Sequence, residues 1–452
     1  MASVQAPRVT GGWMLRRAHQ MRATPLDFLV ACSAEFESVV ELPIPGRPVF
    51  YLSDPDAIAH VLQGNHRGYG KDTVQYRSLS AVTGDGLLVS DGAKWLRSRR
   101  LMQPAFGSNT LGALGQHVGI AVDRLSETWW RLSPGTLVDI DRAMMRTTLD
   151  VVGRALFSTD FGPAAARLPG AVQQALERVV ARARTPVPLP AWVPSPGNVR
   201  LRRAVGVLDQ TVADTVRERR ASTAVNPDLL DLLLSSFGSD DGDSDEAEDA
   251  SAVRDQMVTL VVAGHETVAS ALTWALWLVA GNPAVADKLA TEARAVLGGR
   301  APTAADSPKL PYARQVLDET LRLYPPAWVL SRRALAADEV AGVQVPAGSL
   351  VFMSPYALHR RPALWPDPER FDPDRFERDR VETGGSRVAY LPFGAGPRLC
   401  IGREFALLEG TLILSALADR FRIWRLAGHR VRPDAAVTVR PRDGLPMIVR
   451  RR

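Results

Sequence analysis

Cysteine is almost missing from this chain. Only 2 of its 452 residues are cysteine, Cys32 and Cys400. So few thiols exclude a disulfide-rich secreted scaffold and a zinc site built from several thiolates, and they fit a reducing compartment. We therefore expect a cytoplasmic protein.

Long apolar runs and secretory signals are also missing. No stretch of about 18 or more apolar residues occurs, so the sequence predicts no transmembrane anchor. The N-terminal segment lacks the continuous apolar core and the small-residue cleavage site of a signal peptide. The phosphate-binding patterns G-x-G-x-x-G and G-x-x-x-x-G-K-S/T and internal repeats are absent as well.

Charge of either sign is modest but unevenly distributed. The chain has 55 Lys plus Arg against 49 Asp plus Glu, a net charge of +6. Seven acidic residues and no basic ones fall between Ser239 and Ala250, which predicts a solvated acidic loop at about 238–250. The rest of the chain is therefore more basic than the total implies. We expect an acidic protein partner rather than nucleic acid.

Apolar residues make up 46% of the chain, which is too many for a disordered protein. The length allows several domains or one large fold. Five prolines between Thr185 and Gly197 forbid a helix there and indicate an extended connector at about 185–197. Periodicity predicts helices over 137–157 and 204–220, a long buried helix over 254–280, and short β-rich pieces near 48–52, 339–351 and 436–449.

The segment FGAGPRLCIG, residues 393–402, precedes a clear helical stripe. A cysteine just before a helix has a stabilised thiolate, because unpaired N–H groups and the helix dipole favour negative charge. Gly394, Gly396 and Gly402 allow tight turns and close backbone approach, and Arg398 adds a cation. This suits a thiolate bound to a metal centre with an anionic periphery, such as an iron porphyrin.

Two other roles of Cys400 stay open at this point. A nucleophilic thiolate would need a histidine and a third orienting residue, and none is evident nearby. A buried structural thiol is the commonest role of a lone cysteine.

This segment resembles the haem-binding signature of the cytochrome P-450 family, F-x-x-G-x-R-x-C-x-G. Phe393, Gly396, Arg398, Cys400 and Gly402 occupy all five of its defined positions. The resemblance implies that Cys400 is the iron ligand, that Phe393 packs near the sulfur and that Arg398 pairs with a haem propionate. It also implies a mainly α fold with small β-sheets, the cytochrome P-450 fold, as a single large domain over 1–452 that encloses haem b.

Two further segments match the family's structural pattern. LDETLRLYPP contains Glu319 and Arg322, three residues apart on one helix face. Alone, such a pair would fit an ordinary surface ion pair. By resemblance, these two residues and Arg375 of FDPDRF form a buried network beneath the haem loop.

The segment VVAGHETVAS, residues 261–270, lies in the long apolar helix. The small Ala263 and Gly264, and a Thr267 hydroxyl able to bond a backbone carbonyl, predict a local opening of this helix. By resemblance, Glu266 and Thr267 are the acid–alcohol pair that delivers protons during dioxygen activation. The family often has threonine at the next position, where this chain has Val268. We interpret His265 as a helix-packing residue.

Cationic and aromatic residues elsewhere complete the resemblance. Trp95 and Arg99 in DGAKWLRSRR, and Arg332 in SRRA, match residues that contact the haem propionates in the family. Three other basic residues of the first segment are expected on a face where an acidic electron donor docks. They are Lys94, Arg97 and Arg100.

The resemblance implies a haem monooxygenase that inserts one oxygen atom from O2 into a hydrophobic small molecule. A terpene, a fatty acyl chain or a polyketide would suit an apolar lining, with the connector around Trp192 as part of a mobile lid. Ferredoxin and ferredoxin reductase would supply electrons, so NAD(P)H acts only indirectly, and we expect a monomer. The expected lining residues are Val261, Val262, Ala263, Gly264, Ala327, Trp328, Val329 and Leu330, within a pocket also bounded by residues 71–86.

Alternative activities on the same scaffold are a peroxide-using peroxygenase or an isomerase. Thr267 argues against both, because neither needs the proton-delivering hydroxyl. A non-catalytic haem sensor is a further alternative. It would be favoured by an appended regulatory or DNA-binding domain, and none is visible.

Overall fold

Helices make up most of the described chain. The computed structural model describes residues 7–36, 38–133, 135–183, 185, 190, 192–221, 228–237, 246–377 and 388–452. Within these ranges the α-helices are α1 (Gly11–Ala23), α2 (Pro25–Glu35), α3 (Pro55–Ala59), α4 (Val74–Thr83), α5 (Gly92–Met102), α6 (Ser108–Trp130), α7 (Ile140–Phe157), α8 (Leu168–Ala183), α9 (Pro196–Ala221), α10 (Leu229–Phe237), α11 (Glu246–Ala280), α12 (Pro283–Leu297), α13 (Pro311–Leu323), α14 (Pro355–Leu358) and α15 (Arg403–Arg420).

The β-strands are short, and each of the three β-rich regions that the sequence predicts contains at least one of them, but half of the described strands lie outside those regions. In the same described ranges they are β1 (Val39–Leu42), β2 (Val49–Leu52), β3 (Tyr69–Gly70), β4 (Leu137–Asp139), β5 (Leu330–Ala334), β6 (Asp338–Val340), β7 (Val343–Val345), β8 (Leu350–Met353), β9 (Phe421–Arg425), β10 (Pro433–Ala435), β11 (Val439–Pro441) and β12 (Pro446–Arg451). The mainly α fold class with small β-sheets is confirmed.

The chain divides into two compact units, each built from several segments. Unit 1 comprises Met1–Tyr76, Asp318–Arg403 and Pro433–Val439. Unit 2 comprises Arg77–Leu317, Glu404–Arg432 and Arg440–Arg452. The single domain over 1–452 stays a prediction.

Unit 1 is organised around a five-stranded sheet of order β1-β2-β8-β5-β3. Strand β2 pairs parallel with β8, and the other neighbours pair antiparallel. Alternate side chains of β2 enter different apolar clusters: Phe50 packs in one, and Val49 and Tyr51 pack in the other. The sheet is therefore buried on both faces.

Cys32 belongs to the second of these clusters, among side chains of α1, α2 and the sheet. Its side chain is fully buried, and burial raises the pKa of the thiol to about 12. The thiol therefore stays neutral and packs as a small apolar group. This identifies Cys32 as a core residue of unit 1.

Unit 2 is organised around α11, which packs along α7. The predicted long helix over 254–280 is confirmed, and it begins eight residues earlier, at Glu246. A Cβ at Gly264 would lie 3.0 Å from Val152 of α7, so glycine permits close contact between the two helices. Thr148 of α7 donates its hydroxyl hydrogen to the His265 carbonyl at 2.9 Å. Helix α11 is continuous here, so Gly264 serves packing rather than the predicted local opening.

The helix predicted over 137–157 begins three residues late. Residues Leu137–Asp139 instead form β4, which pairs with β12. The Asp139 carboxylate accepts a hydrogen bond from the Arg142 N–H and caps α7. Strand pairing with a distant segment thus overrides local helical periodicity. The helix predicted over 204–220 lies within α9.

Both predicted interruptions fall partly outside the described residues. Of the acidic loop at 238–250, residues 238–245 lie outside them, and α11 occupies the rest. Of the connector at 185–197, residues 186–189 and 191 lie outside them. In its described part, the Asn198 side-chain amide donates to the carbonyls of Pro190 and Val193, both at 2.9 Å.

No single helix in the described ranges is long and apolar enough to cross a membrane. One bent pair, Glu248–Ala280 with Pro283–Leu297 at 115°, satisfies length and composition together.

A fully buried ion pair supports the loops of unit 1. Arg322 and Glu319 are both 0% exposed, and two hydrogen bonds of 2.7 and 2.8 Å join them. Burial raises the pKa of Glu319, and Arg322 opposes that shift. Arg375 approaches the same carboxylate at 3.5 Å, so the structure brings together the three residues that the sequence grouped.

His359 connects this pair to the segment that leads to Cys400. Its Nδ1 lies 3.1 Å from the Arg322 carbonyl, and its Nε2 accepts the Leu391 N–H at 2.8 Å. Burial lowers the pKa of His359 to about 3, so the imidazole is neutral, with Nδ1–H as the donor. The sequence analysis did not identify His359.

We predict that Glu319→Ala destabilises the protein by about 3–5 kcal/mol, because Arg322 would keep a buried charge without its carboxylate. Asp214→Ala is the matched control, since Asp214 and Arg217 are also three residues apart on a helix but exposed. We expect only a slight change for this control. Chemical denaturation measures both effects. Equal effects would contradict a special role of burial.

Candidate functional site

Cys400 lies on an irregular loop three residues before α15. Its backbone N–H donates to the Phe393 carbonyl at 3.0 Å, which closes the loop. The Cys400 side chain is exposed, whereas Phe393, Arg398 and Gly402 are half-buried. The five signature residues thus form one local turn structure in unit 1 with an accessible thiol.

Two glycines of this loop have left-handed backbone conformations. Gly396 has φ of +69°, and a Cβ there would lie 1.9 Å from the Leu62 carbonyl oxygen. Gly394 has φ of +72°, and a Cβ there would meet no atom within 4 Å. Gly396 is therefore required by close packing. At Gly394 the left-handed φ, rather than any close contact, favours glycine.

Arg332 and Arg333 are adjacent on β5 but differ in environment. Arg333 is half-buried and forms a 2.6 Å ion pair with Asp72. Arg332 is 7% exposed, and its hydrogen bonds run to the Ser331 carbonyl at 2.8 Å and the Tyr76 hydroxyl at 3.4 Å. A buried guanidinium favours an anionic partner. This contrast supports Arg332, rather than its neighbour, as the anion-binding residue.

Lys71 is a second buried cation near Tyr76. It is 7% exposed, and its Nζ lies 4.7 Å from the centre of the Tyr76 ring. The sequence analysis placed Lys71 only at the edge of the pocket. Lys71 and Arg332 both contact Tyr76, so this part of unit 1 contains two buried positive charges.

Helix α5 in unit 2 has two distinct faces. Trp95 and Arg99 are half-buried on one of them. The other basic residues, Lys94, Arg97 and Arg100, are exposed, and Lys94 pairs with Asp85 at 2.6 Å. The division of these faces between cofactor contacts and a docking surface stays a prediction.

The residues of α11 around Thr267 differ in exposure. Ala263, Gly264 and Thr267 are half-buried and share one face, because residues four apart are neighbours on a helix. The Thr267 hydroxyl donates to the Ala263 carbonyl at 2.8 Å, the type of contact expected from the sequence. Val261 and Val262 are buried. The partly exposed face of α11 is therefore small and apolar, with one hydroxyl.

Glu266 is 2% exposed, unlike Thr267 beside it. One of its carboxylate oxygens lies 4.0 Å from Nη1 of Arg440 on β11. Arg440 in turn binds Asp141 at the start of α7, at 2.5 Å. The sequence analysis did not identify Arg440 or Asp141. For Arg440, the only local signal was its charge within the β-rich stretch 436–449.

His265 is fully buried, as a packing residue should be. Its Nδ1 lies 2.6 Å from the Val261 carbonyl, and burial lowers the pKa of the imidazole to about 4. The ring is therefore neutral, with Nδ1–H donating and Nε2 available only as an acceptor. Within the described ranges Nε2 has no hydrogen-bond partner.

Residues Ala327–Leu330 connect α13 to β5 in unit 1, and all four are half-buried. The Trp328 indole packs against the cluster that contains Cys32, and its N–H donates to the Ala436 carbonyl at 2.9 Å. Its backbone carbonyl accepts the Ser354 hydroxyl at 2.7 Å. Contacts within unit 1 therefore hold this segment, and its role in the pocket stays a prediction.

The predicted residues are distributed over both units. Unit 1 contains the Cys400 loop, Arg332, Ala327–Leu330 and the Glu319 network; unit 2 contains α5 and the stretch from Val261 to Thr267.

These residues fit a haem. Cys400 offers an accessible thiol, Gly394 borders open space, and Arg332 is a buried cation suited to a carboxylate. Within the described ranges no three metal-ligating side chains cluster.

Known proteins resemble this chain over nearly its whole length. The sequence model of the family described as cytochrome P-450 matches residues 7–437. Cyclooctatin synthase of Streptomyces melanosporofaciens is 38% identical, covering 91% of this chain and 88% of that protein. Cyclooctat-9-en-7-ol 5-monooxygenase of the same organism is 36% identical, covering 89% and 86%.

Pentalenene oxygenase of Streptomyces avermitilis is 33% identical, covering 93% of this chain and 92% of that protein. Among solved structures, CYP175A1 from Thermus thermophilus is 31% identical with a TM-score of 0.78. That match covers 98% of this chain and 100% of that structure's chain. The likeness therefore extends to fold as well as sequence.

We predict that Arg332→Gln weakens cofactor binding by about 10–100-fold, because a buried cation would be lost from the site. Arg333→Gln is the control, since Arg333 pairs with Asp72 instead. Cofactor titration of the apoprotein, followed by absorbance, measures both affinities. Equal losses in the two variants would contradict the assignment of Arg332.

Proposed function

Because this chain belongs to the cytochrome P-450 family and is a monooxygenase that uses haem iron and O2, we propose that its substrate is a cyclic terpene. The observation that carries this proposal is the set of relatives. The names of two of them describe oxygenation of pentalenene and of cyclooctat-9-en-7-ol. Each matches this chain over about nine-tenths of its length.

The expected lining supports an apolar substrate. Residues 261–264 are valine, alanine and glycine, and Ala327 to Leu330 are all apolar. Such surfaces favour hydrocarbon by excluding water rather than by hydrogen bonding. The hydrogen bonds that hold Trp328 keep its segment in place, which favours a rigid substrate of defined shape.

The cofactor in this proposal is haem b. Cys400 would bind the iron as a thiolate, and Phe393 and Gly402 would flank it. Arg332, Arg398, Trp95 and Arg99 would bind the haem carboxylates through their N–H groups. When bound, the haem supplies the dioxygen chemistry, with a thiolate that favours O–O cleavage.

Glu266 and Thr267 manage protons in this proposal. Thr267 donates to the Ala263 carbonyl, so its oxygen can accept a hydrogen bond from a donor at the partly exposed face. Glu266 is buried close behind it in sequence, where a carboxyl group can hold and release a proton.

Electrons come from a ferredoxin and its reductase in this proposal, and hence indirectly from NAD(P)H. The exposed Lys94, Arg97 and Arg100 on α5 provide a basic surface for an acidic donor. We place this reaction in the cytoplasm, with the chain acting as a monomer.

We predict that carbon monoxide added to the reduced holoprotein produces the strongly red-shifted Soret band of a thiolate haem. Cys400→His should abolish that band, and Cys32→Ala should preserve it, because Cys32 is a core residue of unit 1. A histidine-type spectrum in the unaltered protein would contradict the assignment of Cys400.

We predict that cyclic terpene hydrocarbons and alcohols shift the haem spin state and are oxygenated when ferredoxin and its reductase are supplied. Fatty acids and polyketide macrolactones serve as comparison ligands. Preferential binding and turnover of one of these would overturn the terpene proposal. Turnover with peroxide alone would favour a peroxygenase instead.

We predict that Thr267→Ala preserves substrate binding but lowers product formed per electron by roughly tenfold or more, with electrons diverted to peroxide. Thr211→Ala is the control, because Thr211 makes the same hydroxyl-to-carbonyl contact, at 2.7 Å, within α9. Product and peroxide assays together measure coupling. Unchanged coupling in Thr267→Ala would contradict its proton role.

A further inference from the structure

A buried ion pair joins two distant segments of unit 2. Arg440 on β11 is 8% exposed, and Asp141 at the start of α7 is 6% exposed. The Arg440 Nη2 lies 2.5 Å from one carboxylate oxygen, and its Nε lies 3.3 Å from the other. This two-point contact fixes the plane of the guanidinium.

The remaining nitrogen of that guanidinium faces α11. Nη1 lies 4.0 Å from the Glu266 carboxylate, whereas Nε and Nη2 are occupied by Asp141. Asp141 also bonds the side chain of Thr273, seven residues after Glu266 on the same helix. Asp141 therefore connects Arg440 to Thr273, which lies about two turns of α11 beyond Glu266.

The charges of this cluster do not balance unless it carries a proton. Two carboxylates share one guanidinium in a buried environment, so the group is neutral when one carboxyl is protonated. Burial raises the pKa of Asp141, and Arg440 opposes that shift. A simple structural ion pair would need only one carboxylate.

The neighbouring titratable groups described around the cluster, His265 and Glu177, add no positive charge. His265, beside Glu266 on α11, is neutral because burial lowers its pKa to about 4. Glu177 on α8 adds a further negative charge that acts on Arg440. Asp139, just before α7, adds another negative charge and raises the pKa of Asp141. The titratable groups that act on the cluster from its surroundings thus include His265 of α11, Glu177 of α8 and Asp139.

We propose that Arg440, held in place by Asp141, is a positioning residue that orients the Glu266 carboxyl and sets its proton affinity. This inference rests on the proposed role of Glu266 in proton delivery and extends it to two residues outside the family's motifs. The cation at Nη1 stabilises the ionised form of Glu266 after it has released a proton. Asp141 prevents the guanidinium from turning away.

The test compares Arg440→Gln with Arg440→Lys and with the exposed control Arg442→Gln. The infrared band of the protonated Glu266 carboxyl, assigned by its loss in Glu266→Gln, is followed against pH without turnover. We expect Arg440→Gln to shift the titration of Glu266 upward by about one unit or more, because the neighbouring cation is gone. Arg440→Lys should restore part of the shift, and Arg442→Gln should cause none.

Coupling provides the second readout. We expect Arg440→Gln to lower product per electron about as far as Glu266→Gln does, with no further loss when the two changes are combined. The double variant Asp141→Asn/Arg440→Gln removes both charges of the pair, so it should fold and show the same uncoupling.

Two results would overturn the inference: the first would refute only the positioning role of Arg440, and the second would also refute the proton role of Glu266. An unshifted Glu266 titration with normal coupling in a folded Arg440→Gln or double variant would refute the positioning role alone, provided that Glu266→Gln is uncoupled. Normal coupling in Glu266→Gln would refute the proton role of Glu266 and with it the inference. Thiolate haem binding and terpene oxygenation would stand in either case.

Discussion

The complete pairing of one buried guanidinium organises the loops of unit 1. Arg322 is 0% exposed and uses all five N–H groups, two on Glu319 and three on the carbonyls of His359, Pro368 and Arg370. A buried charge without these partners would be very costly, so the chain must pass close to it at each of these points. His359 bonds the Arg322 carbonyl through Nδ1 and accepts the Leu391 N–H at Nε2. It thereby fixes Leu391, two residues before the Cys400 loop begins. The geometry of the proposed iron ligand therefore depends on an arginine far away in sequence.

The preference for arginine over lysine has a physical use in both units. Only four lysines occur in the chain, and the buried basic residues of the site other than Lys71 are arginines. Arginine stays charged when buried and directs several donors in a plane, which suits carboxylates and carbonyls. Arg332 faces a tyrosine hydroxyl and a carbonyl in unit 1, and Arg440 engages two carboxylates in unit 2. Arg440, with three of its nitrogens directed at two carboxylates, performs a task for which a lysine would supply too few fixed donors.

Helix α11 places two adjacent residues, Glu266 and Thr267, in different environments. Its half-buried face is small and apolar around Thr267, which suits contact with a hydrocarbon. Glu266, the next residue back, is buried toward Arg440, where a charge can be stabilised. Because successive helical residues differ by about 100° in direction, adjacent positions can meet such different environments. The Arg440 guanidinium, 4.0 Å away, lowers the cost of burying the ionised form of Glu266.

Local sequence determined much of this protein. The signature around Cys400, the spacing of Glu319 and Arg322, and the apolar stretch of α11 predict elements that the structure contains, because each depends on residues close together in the chain. The strand at Leu137 was mistaken for helix, since its pairing with β12 involves residues some three hundred positions away. Tertiary structure alone decided that Gly264 serves close packing, that Arg332 is buried while Arg333 pairs with Asp72, and that Arg440 faces Glu266. Such contacts arise only when distant segments fold together, and their energies depend on burial, which a linear pattern does not specify.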